Sequence, residues 1–470
     1  MTWEPFGYDR YGRIRQLDTT LQKDALNAFD ISLAAMAFNA PAWVTAASMP
    51  ILYALVGNAA PLAILIAFVF PMLVLALCLV CLTREAPSAG GIFTFSSRFL
   101  HPVAGTLLGW TYIIACAAVV PMTAVVGTHY LQALFSPLKG PVATGTAGTI
   151  LILSFMLICL RGVTLTARVA MLLLCIELTV IVGLALCGIV SPHVHVPAAR
   201  MLTPSDSWYV LGSGVLSGVW MLANFDSAIN YIEEARIPVR TVQRSLLAVL
   251  FSAFVVYMIV AVGWQRAVPV SALAVTVENG DGGPIGAVAN QYLPPWLSSI
   301  AILVVITSAI ASMQIAMSAG ARTAYRMAQE GHLPGFFGRT NRHFAPWISV
   351  LTIALLSIVF VWLKPLTEFD FYYNTLAVTL AVAYMAALAA FVRLMFTRHS
   401  VVRATLSSFL PVMAFAVLGY LLYSAGVAPA EAKDIYQAWY IGVGVLGSGL
   451  ALVLLKKLRR NAEPMSIAAR

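Results

Sequence analysis

Two acidic residues sit where charge is expensive. Glu177 lies in the apolar run Leu174-Cys175-Ile176-Glu177-Leu178 with no basic residue nearby in sequence, and Asp226 lies in Asn224-Phe225-Asp226-Ser227. An ionisable group about halfway across a bilayer costs about 2.5 to 3.5 kcal/mol on insertion scales, so Asp226 must face a polar cavity or a partner. Burial at such depth disfavours the charged form of Glu177, which leaves it two roles. It is either a group that takes up and returns a proton, or a structural carboxyl hydrogen-bonded to a neighbouring helix. Hydrolytic and metal chemistry find no matching set of residues. Of the 7 histidines only His129 falls inside an apolar span, no H-E-x-x-H occurs, and His193 and His195 form an outer-loop pair without further ligand candidates nearby. Cys78, Cys81, Cys116, Cys159, Cys175 and Cys187 all lie in apolar segments, which argues against a disulfide framework and makes Cys78-x-x-Cys81 two small residues on a helix face. No catalytic residue, metal or cofactor is expected, and the chain is not read as an enzyme.

The elements that must hold these carboxylates follow from composition. Of 470 residues 60% are hydrophobic and 10% charged, with a mean hydropathy of +0.87, whereas a soluble domain carries about 25% charged residues. Most of the chain is therefore expected in lipid as spanning helices. Hydropathy places twelve, at 27–53, 60–82, 104–135, 145–161, 167–190, 207–233, 243–265, 297–325, 346–363, 372–396, 404–424 and 434–456. With the N-terminus inside, 23 of the 28 basic residues fall on the inner side and five, Lys139, Arg200, Arg266, Lys364 and Lys433, on the outer. The positive-inside rule then predicts both termini in the cytoplasm, with the protein integral to the plasma membrane, the inner membrane of a bacterium. The net charge of +9 does not point to nucleic acid, because the basic residues are scattered singly and form no stripe. The first 24 residues are polar and lack a short apolar core before a cleavage site, so no signal peptide is expected. The outer loop 266–296, with Glu278-Asn279-Gly280-Asp281-Gly282-Gly283-Pro284, reads as a solvated connection. Lys456, Lys457, Arg459 and Arg460 of the tail would anchor to anionic lipid at about 1 kcal/mol per charge.

In hydrocarbon a helix is interrupted only where the freed backbone lines a cavity or binds something. Helix 1 carries Phe38-Asn39-Ala40-Pro41-Ala42-Trp43, a mid-span proline that removes one N–H and clashes with the carbonyl of Ala37. Helix 6 runs from Gly212, Gly214 and Gly218 through Trp220 to Asn224-Phe225-Asp226-Ser227 and Glu233-Glu234. These are the first helices of two five-helix halves, and interruptions at corresponding positions of two halves point to a solute site at mid-membrane. A channel would show polar rings, whereas the intramembrane carboxylates here are single and unmatched.

After helix 2 comes Glu85-Ala86-Pro87-Ser88-Ala89-Gly90-Gly91-Ile92-Phe93-Thr94-Phe95, then Gly105 and Gly109-Trp110. This resembles the P-x-A-G-G-x-Y-x-Y … G-W stretch of the amino acid, polyamine and organocation (APC) transporter superfamily. Asn224-Phe225-Asp226-Ser227-Ala228 with Glu233-Glu234 and Pro238 is similar to its helix-6 G-F-[DE] … E-E-x-x-x-P signature. Arg322-Thr323-Ala324-Tyr325-Arg326-Met327-Ala328 with Gly331, Leu333-Pro334 and Pro346 is similar to its helix-8 tail, so the likeness runs in order over roughly residues 25 to 400. Two positions depart from it. Asn39-Ala40-Pro41 replaces the usual G-[SA]-G, a form closer to polyamine and amine importers, and Asn224 replaces the helix-6 glycine.

The resemblance implies an all-α membrane protein with a LeuT-like five-plus-five inverted repeat, helices 1 and 6 broken, and two further C-terminal helices. Its parts are an N-terminal cytoplasmic segment 1–26, repeats 27–190 and 207–396, helices 11 and 12 at 404–456 and a tail 457–470. It implies a secondary active transporter importing an amino acid or small amino-containing solute by alternating access, with helices 1, 2, 6 and 7 rocking against 3, 4, 8 and 9. An amine or polyamine carrier, an exchanger and a sodium-coupled symporter are the alternatives, and only a flux assay separates a carrier from a sensor with the same fold. The N-terminal end of the outer half of helix 1, near Ala42 and Trp43, can receive a carboxylate, and the carbonyls near Ala223 an ammonium. By resemblance Asn39, Ala40, Pro41, Ala42, Ala223, Asn224, Phe225 and Asp226 line the pocket, and Trp43 and Trp220 serve as gate or packing residues. Asp30 and Glu233 are expected in an inner gate with Arg98, Arg236 or Arg322. Glu177 is the coupling candidate; proton-coupled relatives carry a lysine at a similar place in helix 5, so Glu reverses the charge. Sodium coupling would instead use Ser308 and Ser312, with Ser318 nearby, unless these belong to a packing stripe. With Asp226 and Glu177 the only carboxylates at the site and none between Gly109 and Pro121, a zwitterion or monoamine fits better than a dication. Partners are the small-molecule substrate and the lipid bilayer, with no nucleic acid, the protein being a monomer or homodimer.

Overall fold

The architecture comes from a computed structural model that describes residues 20–134, 141–203, 208–274, 283–363, 369–427 and 443–454. The N-terminal segment before residue 20, Lys139, Lys364, Lys433 and the basic tail lie outside the described residues, as does the side chain of His129. At bilayer depth no water pairs with exposed backbone groups, so a chain of this kind pairs them within helices wherever it meets lipid. In order it forms α1 (Ala28–Asn39), α2 (Pro41–Val56), α3 (Ala60–Ala67), α4 (Leu73–Glu85), α5 (Ile92–Phe95), α6 (Pro102–Leu134), α7 (Pro141–Leu160), α8 (Val163–Val190), α9 (Ala198–Leu202), α10 (Trp208–Met221), α11 (Pro238–Ala267), α12 (Val270–Leu273), α13 (Gly283–Tyr292), α14 (Pro295–Gln329), α15 (Trp347–Leu363), α16 (Phe369–Arg398) and α17 (Val401–Val427).

Among the described residues eight helical stretches are long and apolar enough to cross a membrane, and Trp347–Trp362 and Val443–Leu454 are shorter apolar helices. The twelve expected spans do not map one to one onto these, for identifiable reasons. The stretch Ala28–Glu85 holds the first two expected spans, separated by the turn at Gly57–Ala59, and the expected span 207–233 is divided by its own break. The loop after α11 also differs from the solvated connection expected. Its described part forms α12 and α13, and α13 buries Ile285, Val288 and Ala289. The Gly283-Pro284 pair read as a turn instead opens a helix, because an apolar face follows it that packs on α14, α2 and α8.

The packing places α1, α8, α11 and α14 around one another, with α6 along α14 and α16 along α6. The tightest approach is between α8 and α11. A Cβ on Gly188 would stand 2.1 Å from the Gly263 carbonyl oxygen, and one on Gly263 would stand 2.2 Å from that of Ala185. Small residues let two backbones meet where lipid offers no hydrophobic drive for helix association. Buried tyrosines supply polar ties between helices: Tyr53 donates to the Ala261 carbonyl at 2.8 Å and Tyr372 to that of Phe360 at 2.8 Å. Leu153, Leu157, Leu172, Phe251, Leu406 and Phe409 point outward and are exposed, as a lipid-facing surface requires.

Candidate functional site

Helix 1 breaks where its proline predicts. The Ala40 N–H donates to the Met36 carbonyl at 3.1 Å and closes α1, and Ala40 then turns left-handed (φ 53°, ψ 66°) before Pro41 starts α2. A proline at the first helical position costs no hydrogen bond, because that N–H would be unpaired anyway. An L-residue in the left-handed region is strained, and the strain at Ala40 is held in place by partners on both sides. The next N–H groups of α2 are all engaged. Ala42 donates to Glu177 Oε2 at 3.2 Å, Trp43 to Ser308 Oγ at 3.1 Å and Val44 to the Ala40 carbonyl at 2.8 Å. The two N–H groups expected to receive a substrate carboxylate thus meet Glu177 and Ser308 in this structure.

Helix 6 is interrupted in the matching place. α10 ends at Met221, Leu222 to Asn224 form a turn, and Phe225–Glu234 continues as a 3-10 helix of 10 residues, all buried. Runs of this helix longer than three or four residues are uncommon and mark hinges or strain. Asn224 carries the left-handed conformation (φ 67°, ψ 1°), which Asn tolerates better than other side-chain-bearing residues; this is the physical sense of Asn replacing glycine there. The Asn224 N–H donates to the Tyr384 hydroxyl of α16 at 2.9 Å, and that hydroxyl donates to Asp226 Oδ1 at 2.6 Å.

One side chain ties the two breaks together. Asn39 Nδ2 donates to the carbonyls of Met221 and Ala223, both at 2.8 Å, and its Oδ1 accepts from the Tyr257 hydroxyl of α11 at 2.6 Å. Ser312 adds a bond from α14 to the Phe38 carbonyl at 3.0 Å. Glu177 is 0% and Asp226 3% exposed, and among the described residues neither forms an ion pair. Glu177 Oε1 has no hydrogen-bond partner among the described residues. Phe225 is buried with its ring 6.4 Å from that of Tyr384, Trp43 is buried and Trp220 half-buried.

Below the breaks lies a second polar layer. Asn230 donates to the Ala89 carbonyl at 2.8 Å and to Thr323 Oγ1 at 3.1 Å, and accepts from the Tyr112 hydroxyl at 3.1 Å. The Ala89 N–H donates to Glu233 Oε1 at 3.0 Å. The glycines after Ala89 are required here: Gly91 has φ +50°, and a Cβ on Gly90 would stand 2.8 Å from the Phe93 ring. Arg322 forks onto Glu234, Nε to Oε2 at 2.7 Å and Nη2 to Oε1 at 2.9 Å, with its Cζ 4.7 Å from the centre of the Tyr231 ring. Its Nη1 donates to Ser318, to the carbonyl at 3.1 Å and to the hydroxyl. Arg326 lies 3.7 Å from Glu233 and 3.0 Å from Glu330. The chain before α1 straps across this end: Ala25 and Leu26 donate to the Glu234 carbonyl, Arg236 to the Leu26 carbonyl, and Thr20 to the Tyr325 hydroxyl.

This network, expected from the sequence at an inner gate, differs in detail from that reading. Arg322 pairs with Glu234 rather than Glu233, and Arg326 is the arginine beside Glu233. Asp30 forms a capping box with Asn27 at the start of α1, each side chain accepting from the other's N–H at 3.0 Å. Sequence reasoning missed Tyr257, Tyr384, Asn230 and Tyr112. Their signal was a polar tip on helices already counted as spanning.

Two helices broken in mid-course are thus pinned to each other and flanked by buried carboxylates, within a helical membrane protein. A family model for amino acid permeases matches residues 31–448, and the chain belongs to that family, which is one of permeases and not of enzymes. It is 26% identical over 277 residues to the uncharacterized amino acid permease YecA of Bacillus subtilis, covering 58% of this chain and 61% of that protein. It is 25% identical over 292 residues to the branched-chain amino acid permease BcaP of Lactococcus lactis, covering 58% and 62%. The histidine permease HisP of Lactococcus lactis is 24% identical over 287 residues, covering 58% and 59%. The match thus spans about three fifths of the length of these relatives.

Proposed function

We propose that the protein is a secondary active transporter that imports an amino acid or a small amino-containing solute by alternating access, coupled to protons. The observation that carries this reading is the pair of broken helices joined by Asn39, with the N-terminal end of α2 and the C-terminal carbonyls of α10 brought to one place. A zwitterion needs a positive end for its carboxylate and a negative end for its ammonium, and two half-helix ends supply both. Membership of the amino acid permease family supports the solute class. The polar ties beneath the site support a barrier at the inner end while the site is formed. In this reading the helices follow a five-plus-five inverted repeat with two additional C-terminal helices, both termini face the cytoplasm, and the protein sits in the plasma membrane as a monomer or homodimer.

Buried Glu177, bonded to the helix-1 break from α8, supports the proton as coupling ion, because it is the carboxylate able to change charge next to the moving helix. Ser308 and Ser312 also touch the helix-1 backbone, so a sodium-coupled cycle is the second reading. Reconstitution into liposomes tests both. Uptake of labelled amino acids driven by an inward proton gradient, and unchanged by sodium, is the expected result. Uptake that requires a sodium gradient favours the serines, and the absence of any amino acid flux overturns the transport reading.

A further inference from the structure

The donors that a substrate carboxylate would use are already in use. Pro41 has no N–H, Trp43 donates to Ser308 and Val44 to Ala40, and the Ala42 N–H is held by Glu177 Oε2. We propose that Glu177 and the carboxylate of an amino acid are alternative occupants of the Ala42 N–H, so the substrate docks there only after Glu177 has taken up a proton and withdrawn. This inference rests on the reading of the protein as an amino acid transporter.

The two ends of the site are unequal in a way that makes the competition specific. A backbone N–H carries a single proton, while a carbonyl oxygen has two lone pairs. Asn39 on the carbonyls of Met221 and Ala223 therefore leaves each of them able to accept from an ammonium. Glu177 on the Ala42 N–H leaves nothing for a second acceptor, and two carboxylates at one half-helix end repel each other. The charge balance is simple. One proton joins the Glu177 carboxylate, the substrate carboxylate stays ionised, and the helix end faces a single negative charge before and after. Each docked amino acid thus brings one proton with it, without any contact between proton and substrate.

The charged and titratable groups packed around Glu177 are engaged with other partners. On α11, Tyr257 bonds to Asn39 and lies in electrostatic reach of Glu177; on α2, Tyr53 bonds to Ala261; on α14, Ser308 faces it and Arg322 is forked onto Glu234. Cys159 of α7 lies near Arg322, and Asp30 of α1 is bound in its capping box. Asp226, with Tyr112 and Tyr384, stands at the other break, where a change of charge acts on the ammonium end.

The test compares each proteinogenic amino acid with the amine left by removing its carboxyl group, measuring affinity for the purified protein from mildly acidic to mildly alkaline pH. Amino acid affinity should fall by up to about tenfold per pH unit as Glu177 ionises, one proton being linked to each ligand. The matched amine should lack that fall. In Glu177→Gln, the fall of amino acid affinity with rising pH should disappear, and any pH dependence left through Asp226 should be the same for the amino acid and its amine. The wild-type comparison of amino acid and amine carries the test by itself if the Gln variant does not fold. An amino acid that binds equally at all pH values, an amine with the same slope, or a slope that persists in Glu177→Gln for the amino acid and not for its amine overturns the competition and leaves transport intact. Binding of amines alone overturns it too, since Glu177 would then be a permanent plug. Failure of every amino acid and amine to bind at any pH overturns the transport reading itself.

Discussion

The Tyr384 hydroxyl stands 2.6 Å from Asp226 Oδ1 and 2.9 Å from the Asn224 nitrogen. It accepts from the backbone at the left-handed turn and donates to the carboxylate two residues on, so one atom of α16 holds both sides of the helix-6 break. Tyr384→Phe removes that atom and keeps the ring. Each buried group left unsatisfied costs about 1 to 3 kcal/mol, so the variant should unfold at lower temperature. Substrate affinity should fall by more than the loss of a packing contact explains. Thermal unfolding in detergent and a binding isotherm check the two parts; wild-type values in both would mean that the break is held elsewhere.

Asn39→Asp separates geometry from bonding at the point where the two breaks meet. The replacement has the same shape but loses the two N–H donors that reach Met221 and Ala223. An ionised Asp would face two carbonyl oxygens and repel both. A stability loss of about 1 to 3 kcal/mol is expected from the lost hydrogen bonds, together with loss of uptake at neutral pH. Uptake in liposomes and unfolding by denaturant measure it, and uptake at the wild-type rate would show that the bridge is dispensable.

The crossing of α8 and α11 positions Glu177 and Tyr257 on facing helices, and it depends on two glycines. Gly263→Ala places a Cβ against the Ala185 carbonyl, where no flexible side chain can yield. Overpacking of this kind costs about 1 to 3 kcal/mol, and the forced separation should also weaken substrate binding. The control is Gly183→Ala on the facing helix α8, where an added Cβ meets nothing within 4 Å. Equal melting temperatures for the two variants would contradict the close approach.

The sequence and the structure agree where the physics is local. Pro50, Pro121 and Pro411 lie inside continuous helices, so Pro41 alone signals a kink or a break. Because it corresponds to the Asp226 region of helix 6, where a carboxylate at lipid depth requires a partner, both breaks were legible from the sequence. The partner of Asp226 was not. Tyr384 lies 158 residues away, and nothing in its own helix distinguishes it from a packing aromatic. The same holds at Glu177, where the sequence shows a carboxyl in search of a partner and not that the partner is the Ala42 N–H. The inner pairing was misread between neighbours. Glu233 and Glu234 are adjacent, and which of them faces Arg322 depends on the 3-10 geometry of Phe225–Glu234, whose three residues per turn rotate the pair relative to an α-helix. In the loop after α11, residues 278–282 of the turn-rich stretch lie outside the described residues, and what the sequence reading overlooked is the apolar face that follows Gly283-Pro284.

The fork between Arg322 and Glu234 is buried, 5% and 1% exposed at the side chains, and the strap residues Ala25 and Leu26 bond to the carbonyl of the same Glu234. Removing one partner of a buried pair leaves an uncompensated charge, at about 3 to 5 kcal/mol, so Arg322→Ala and Glu234→Ala should each be strongly destabilised. Replacing both with apolar residues of similar volume is often neutral or stabilising, so the double variant Arg322→Met with Glu234→Leu should recover most of the melting temperature. Recovered stability separates a structural role from a gating one. If the fork only holds the fold together, the double variant transports as the wild type does. If it seals the inner end between turnovers, as its position beneath the two breaks implies, the folded double variant should bind substrate and lose tight gating. Gating is read as accelerated leak of preloaded substrate from liposomes without a driving gradient. A stable double variant with wild-type uptake and no leak would remove the gate from this end of the protein.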